Sequence, residues 1–187
     1  RVAHKLGDTE GALAGFEQAR ALFEAEGNTA SVAWADLSAA ALQLERGEAG
    51  SARLRAADAA QRLAEAGIRG WALEGCALAA EAAAASGAHD EARTQFTQTL
   101  AEADGLGPVQ WACHRGLGEL AWQAGDMLMA RHHADLALRG LDETRDLGAR
   151  QVDLGDVAGD DHARIVAEAG EEHLHLLGRG VLRLVED

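Results

Sequence analysis

Histidine, cysteine and clustered aspartate are the residues of this 187-residue chain with metal-binding or nucleophilic side chains. Ligands to a transition metal must converge on one point, and helical metal motifs set them three or four residues apart. His132 and His133 are adjacent, and His173 and His175 stand two apart, so on a helix the members of each pair diverge. No HExxH and no CxxC occurs, and the spacing predicts no metal site. Asp153, Asp156, Asp160 and Asp161 lack the alternation of a calcium loop and read as a flexible acidic loop. Cys113 precedes His114, but a thiol nucleophile needs a base within hydrogen-bond reach and an oxyanion pocket, and sequence adjacency supplies neither. Glycines do not cluster into a phosphate-binding loop. These residues predict no catalysis and no cofactor.

The elements that carry them are written as a repeat. The phrase "GDTEGALAGFEQA" at Gly7 returns as "GEAGSARLRAADA" at Gly47, "GAHDEARTQFTQT" at Gly87 and "GDMLMARHHADLA" at Gly125. Five residues after each glycine stand Ala12, Ala52, Ala92 and Ala130. Nine after stand Phe16, Ala56, Phe96 and Ala134, and twelve after stand Ala19, Ala59, Thr99 and Ala137. Steps of four and three keep these positions on one helix face, where small residues admit a close neighbour and Phe16 and Phe96 fill wider gaps. A second series, Gly27, Gly67, Gly107 and Gly148, interleaves with the first and predicts left-handed turns after helices. Each unit is thus a hairpin of a first and a second helix, which must stack on its neighbours to bury its apolar surface.

Composition bounds the function. Seventeen basic residues stand against 31 acidic ones, a formal charge of −14 that repels phosphate backbones and excludes nucleic acid as a general partner. One Pro, no Tyr and few aromatics favour helices over sheets. No apolar run is long enough to span a membrane, and no signal peptide opens the chain. Cys76 and Cys113 read as reduced thiols in a cytoplasm, and the Arg-, Ala- and Gly-rich composition points to a bacterial source. A start at Arg1 rather than Met has the chain read as a piece of a longer protein.

The glycine, the alanine five on, the aromatic nine on and the alanine twelve on resemble the second helix of a tetratricopeptide repeat. Leu117-Gly118, with Ala39-Ala40 and Ala79-Ala80 as small equivalents, matches the Leu-Gly pair of that family's first helix. The resemblance runs from Gly7 to Gly148, with a period of 40 and without the family's Tyr and Pro landmarks. It implies an all-α, right-handed solenoid of about ten helices in five hairpins, with residues 1–148 as the repeat array and 149–187 as a divergent terminal unit or cap. "LLGRGVLRL" is similar to a helix that can precede a CHAT protease domain.

In the family that the chain resembles, first helices line a concave groove. The lining positions carry Trp34, Leu37, Leu44 and Glu45, then Glu74 and Glu81, then Arg115, Glu119, Trp122 and Gln123. Trp34 and Trp122 are expected as anchors, whereas Trp71 and Trp111 are expected to pack between helices. Cys76 falls at the position of His114 one repeat earlier, which makes both interior or lining residues. Glu45, Glu74, Glu81 and Glu119 would attract a basic or neutral peptide or protein, and Arg115 would take a carboxylate. The reading is a protein–protein interaction scaffold. The alternatives are a regulatory or sensor arm of a larger protease or signalling ATPase, and a module for self-association.

Overall fold

A computed structural model describes residues 9–139. The chain divides into two compact units at the Ala103–Asp104 junction. The first holds α1 (Thr9–Ala25), α2 (Thr29–Glu45), α3 (Ala49–Glu65), α4 (Arg69–Ala85) and α5 (His89–Glu102). The second opens with α6 (Gly107–Gln123), followed by α7 over residues 127–139. All regular structure among the described residues is helical, and none of these helices is long and apolar enough to cross a membrane.

Four of the five helices of the first unit are 17 residues long, about 26 Å at the rise of an α-helix. One turn joins every pair of successive helices among the described residues except α5 and α6. After α2, the Glu48 N–H reaches back to the Gln43 carbonyl at 2.9 Å and Gly47 takes φ +80°, which closes the helix as a Schellman cap. The Glu48 carbonyl then accepts the first bond of α3, from the Ala52 N–H at 3.0 Å. One residue thus ends one helix and starts the next. The same double use recurs at Asn28, Ile68, Ala88 and Asp126.

Gly27 and Gly67 are left-handed as expected, but Gly107 is not. It is the first residue of α6, and Gly105 makes the turn at φ +73°. Pro108 stands in the first turn of α6, where its missing N–H costs nothing, and so pins the helix start. The preceding helix, α5, stops after 14 residues, and the register shortens from 40 to 38 there. Gly148 and the expected boundary beside it lie outside the described residues, as do the aspartate cluster and the C-terminal helix.

In the first unit α2 packs on α1 and α3, α4 packs on α3 and α5, and α2 also touches α4. First helices therefore bury more of their circumference than second ones: eight residues are buried in α2 and in α4, against five in α3 and three in α5. The core is built largely of methyl groups, with Ala33, Leu37, Ala40, Ala56, Ala59, Leu63, Ala72 and Ala79 in one cluster. Gly75 marks its tightest crossing, since a Cβ there would lie 2.8 Å from Ala60 Cβ. The inward face read from the repeats is the buried one at Ala52, Ala56, Ala59, Ala92, Phe96 and Thr99. Phe16 is only half-buried, edge-on to Trp34 with centroids 6.0 Å apart.

Candidate functional site

The surface that α2 and α4 leave uncovered is set by helical spacing. Ser31, Trp34, Ser38, Ala41 and Glu45 follow one another on α2, and Trp71, Glu74, Leu78, Glu81 and Ala85 on α4; none of them is fully buried. Contact between the two helices puts these faces side by side. Trp34 and Trp71 meet edge to face, with centroids 6.3 Å apart and planes at 87°. Phe16 extends the series on the other side of Trp34. Trp71 keeps 38 % of its surface exposed, so it belongs to this face and not between helices as its sequence position was read. Leu37 is corrected in the opposite sense: at 6 % exposure it is part of the core cluster.

Glu74 lies one turn beyond Trp71 on the same face. It is partly buried and makes no hydrogen bond or ion pair among the described residues. Burial pushes its carboxyl up to about 7. Glu81 is partly buried, Leu44 likewise, and Glu45 is exposed at the end of α2.

In the second unit Trp111 is buried as expected, at 1 % exposure, and Trp122 is 46 % exposed. Arg115, expected to take a carboxylate, holds one from its own helix. Its Nη1 donates to Glu119 Oε1 at 3.1 Å, one turn along α6, and its guanidinium lies over the Trp111 ring at 5.3 Å. Gln123, beside Trp122, is exposed.

Cys76 and His114 share one repeat position as expected, and Asp36, which was not foreseen, joins them. Asp36, Cys76 and His114 occupy one register position in α2, α4 and α6, and each turns toward second helices. Asp36 is 3 % exposed and receives three arginines. Arg20 Nε lies at 3.1 Å, Arg55 Nε at 3.0 Å and Arg62 Nη2 at 3.0 Å, so that α1, α2 and α3 share one buried carboxylate. Glu17, Glu24 and Asp58 pair with the outer sides of these arginines.

Cys76 lies in a cleft between α3 and α5, and burial followed by the charge of Glu102 raises its thiol pKa. A thiol held protonated in this way is a poor nucleophile. His114 Nδ1 faces His133 Nδ1 of α7 at 3.1 Å. With centroids 5.4 Å apart the two rings meet through these nitrogens, a geometry in which one neutral imidazole can donate its N–H to the other. Gly118 faces His133 here, and a Cβ in its place would make ordinary contact with His133 Cβ at 3.4 Å. Burial first, and then the neighbouring histidines, lower both imidazole pKa values. His132 and His133 do not diverge as expected: their rings meet edge to face with centroids 5.4 Å apart, and His133 also meets His114 from another helix. No protein-family model matches this chain, and no curated protein is significantly similar to it.

Proposed function

We propose that the chain is a protein-interaction scaffold that holds a peptide or protein segment along the exposed face of its first helices. The observation that carries the reading is Glu74. A partly buried carboxylate without a partner costs folding energy, and proteins retain such groups where binding uses them. It lies one turn from Trp71, whose ring meets Trp34 edge to face, so an apolar anchor and an anionic one sit together. A lysine or arginine side chain suits both: its stem packs on indole and its charge meets the carboxylate. The formal charge of −14 favours the same partners by drawing cations in from a distance. Glu45 and Glu81 add to that field, and Trp122 offers an exposed ring on the second unit. Tetratricopeptide-like stacking accounts for the repeat phase, and the scaffold acts without chemistry of its own.

The test is a panel of basic, neutral and acidic peptides, measured at low and high salt. Basic peptides should bind best and lose association rate as salt rises. Trp34→Ala and Trp71→Ala should each weaken binding by about 2 kcal/mol while helicity persists. Equal affinity across the panel, indifferent to salt, would overturn the proposal.

A further inference from the structure

The arginine cluster around Asp36 has a vacated counterpart one repeat later. Helices α4 and α5 begin 40 residues after α2 and α3. Forty residues after Asp36 stands Cys76. Forty after Arg20, Arg55 and Arg62 stand Ala60, Gln95 and Glu102. The three guanidinium groups that fill the space in the first repeat are therefore missing in the second. What remains is a cleft of about 510 Å³ whose walls include Ala60, Cys76, Gln95, Thr99 and Glu102.

Beside the donors Gln61, Arg69 and Gln98 in its lining, two acceptors have no donor. Gln95 gives its amide N–H to Glu91 at 3.2 Å, and its Oε1 is buried with no partner. Thr99 replaces the alanine of the preceding repeat, is 5 % exposed, and makes no hydrogen bond among the described residues. Arg69, also in the lining, donates to the main-chain carbonyl of Glu102, and the Glu102 carboxylate lies close enough to Cys76 to act on its thiol. Gln95 Oε1, the Thr99 hydroxyl and the Glu102 carboxylate, set among methyl walls, match a flat group rich in N–H on an apolar stem.

We propose that this cleft receives an arginine side chain presented by a peptide, its guanidinium donating to Gln95 Oε1, the Thr99 hydroxyl and the Glu102 carboxylate. The site lies on the second-helix side of α4 and stands independently of the face carrying Trp71 and Glu74. The occupant restores in trans what Arg55 and Arg62 supply in the first repeat.

The experiment titrates Nα-acetyl-arginine amide into the whole chain and follows Thr99 and the Gln95 side-chain amide by NMR. Nα-acetyl-citrulline amide, equal in shape and neutral, is the paired probe. Saturable shifts at both residues are expected with arginine, and binding about tenfold weaker with citrulline, the loss of a charge-assisted contact. Gln95→Arg, which returns the arginine found at this register in the first repeat, should abolish the shifts. Thr99→Val should weaken them if Gln95→Arg does not fold. Trp34→Ala should leave them unchanged, which separates this site from the first-helix face. Equal binding of citrulline, shifts that never saturate, or full binding by folded Gln95→Arg would each overturn the proposal.

Discussion

Arg55 grips Asp36 from 19 residues downstream, with Nε at 3.0 Å and Nη2 at 2.9 Å from the same carboxylate oxygen. The identical spacing relates Cys76 to Gln95 and His114 to His133. One junction between a first helix and the second helix that follows it is thus used three times with different chemistry. It is an ion cluster, then a cleft, then a pair of facing imidazoles.

Asp36 should be the most sensitive polar residue of the first unit. Asp36→Ala leaves Arg20, Arg55 and Arg62 facing one another around a buried gap. Removing one partner from a buried ionic cluster costs about 3–5 kcal/mol. Chemical denaturation should register a loss of that order, and a loss below about 1 kcal/mol would mean that the cluster is solvated.

The two phenylalanines of the repeat should part company. Phe96 is fully buried, so Phe96→Ala should cost about 3–5 kcal/mol. Phe16 is half-buried and leans on Trp34, so Phe16→Ala should cost distinctly less, about 1–2 kcal/mol. Equal losses in thermal melts would contradict the placement of α1.

Much of the fold was legible because steric demands repeat. Ala52, Ala56 and Ala59 had to be small for α3 to approach its neighbours, and their spacing stated the inward face directly. The shift from Gly107 to Gly105 was hidden because Pro108 overrides the ladder locally. The site was legible only in part. Trp34 and Glu74 lie on the exposed face as read, but Trp71 joins them because α2 touches α4, and periodicity does not report that contact. Asp36 escaped notice because its partners lie on two other helices, and a charge in an alanine-rich run reads as surface until the register between helices is known.

The His114–His133 pair should make the α6–α7 junction sensitive to acid. Both imidazole pKa values lie below the ordinary 6.5, so the folded form binds fewer protons than the unfolded one in that range. Stability is therefore present above pH 6.5 and declines as the pH falls through the lowered values. Near-ultraviolet signals from Trp111 and Trp122 should report this loss in wild type, and a His114→Gln, His133→Gln double variant should lack it. An unchanged acid response in the double variant would contradict the assignment of the acid sensitivity to this pair.

Glu74 should show the opposite sign. Its carboxyl is raised from 4.5 to about 7, so the folded form holds a proton that the unfolded one has released, and stability falls as the pH rises between those values. At 1.36 kcal/mol for each pH unit, the penalty above pH 7 is roughly 3 kcal/mol at most. Glu74→Gln should therefore stabilise the protein at pH 8 and have little effect near pH 4.5. A variant that is neutral or destabilising at pH 8 would show that the carboxylate already has a partner.

The most direct test of the scaffold reading is the affinity of one basic peptide, followed from pH 8 to pH 6 in wild type and in Glu74→Gln. A cation that binds the ionised carboxylate must displace its proton, and that proton is held with a pKa of about 7. Wild-type affinity should fall about tenfold across this range. Glu74→Gln should bind more weakly at pH 8 and show no such dependence. Wild-type affinity that is flat with pH, or a Glu74→Gln variant that binds as tightly as wild type at pH 8, would contradict the assignment of this face as the binding surface.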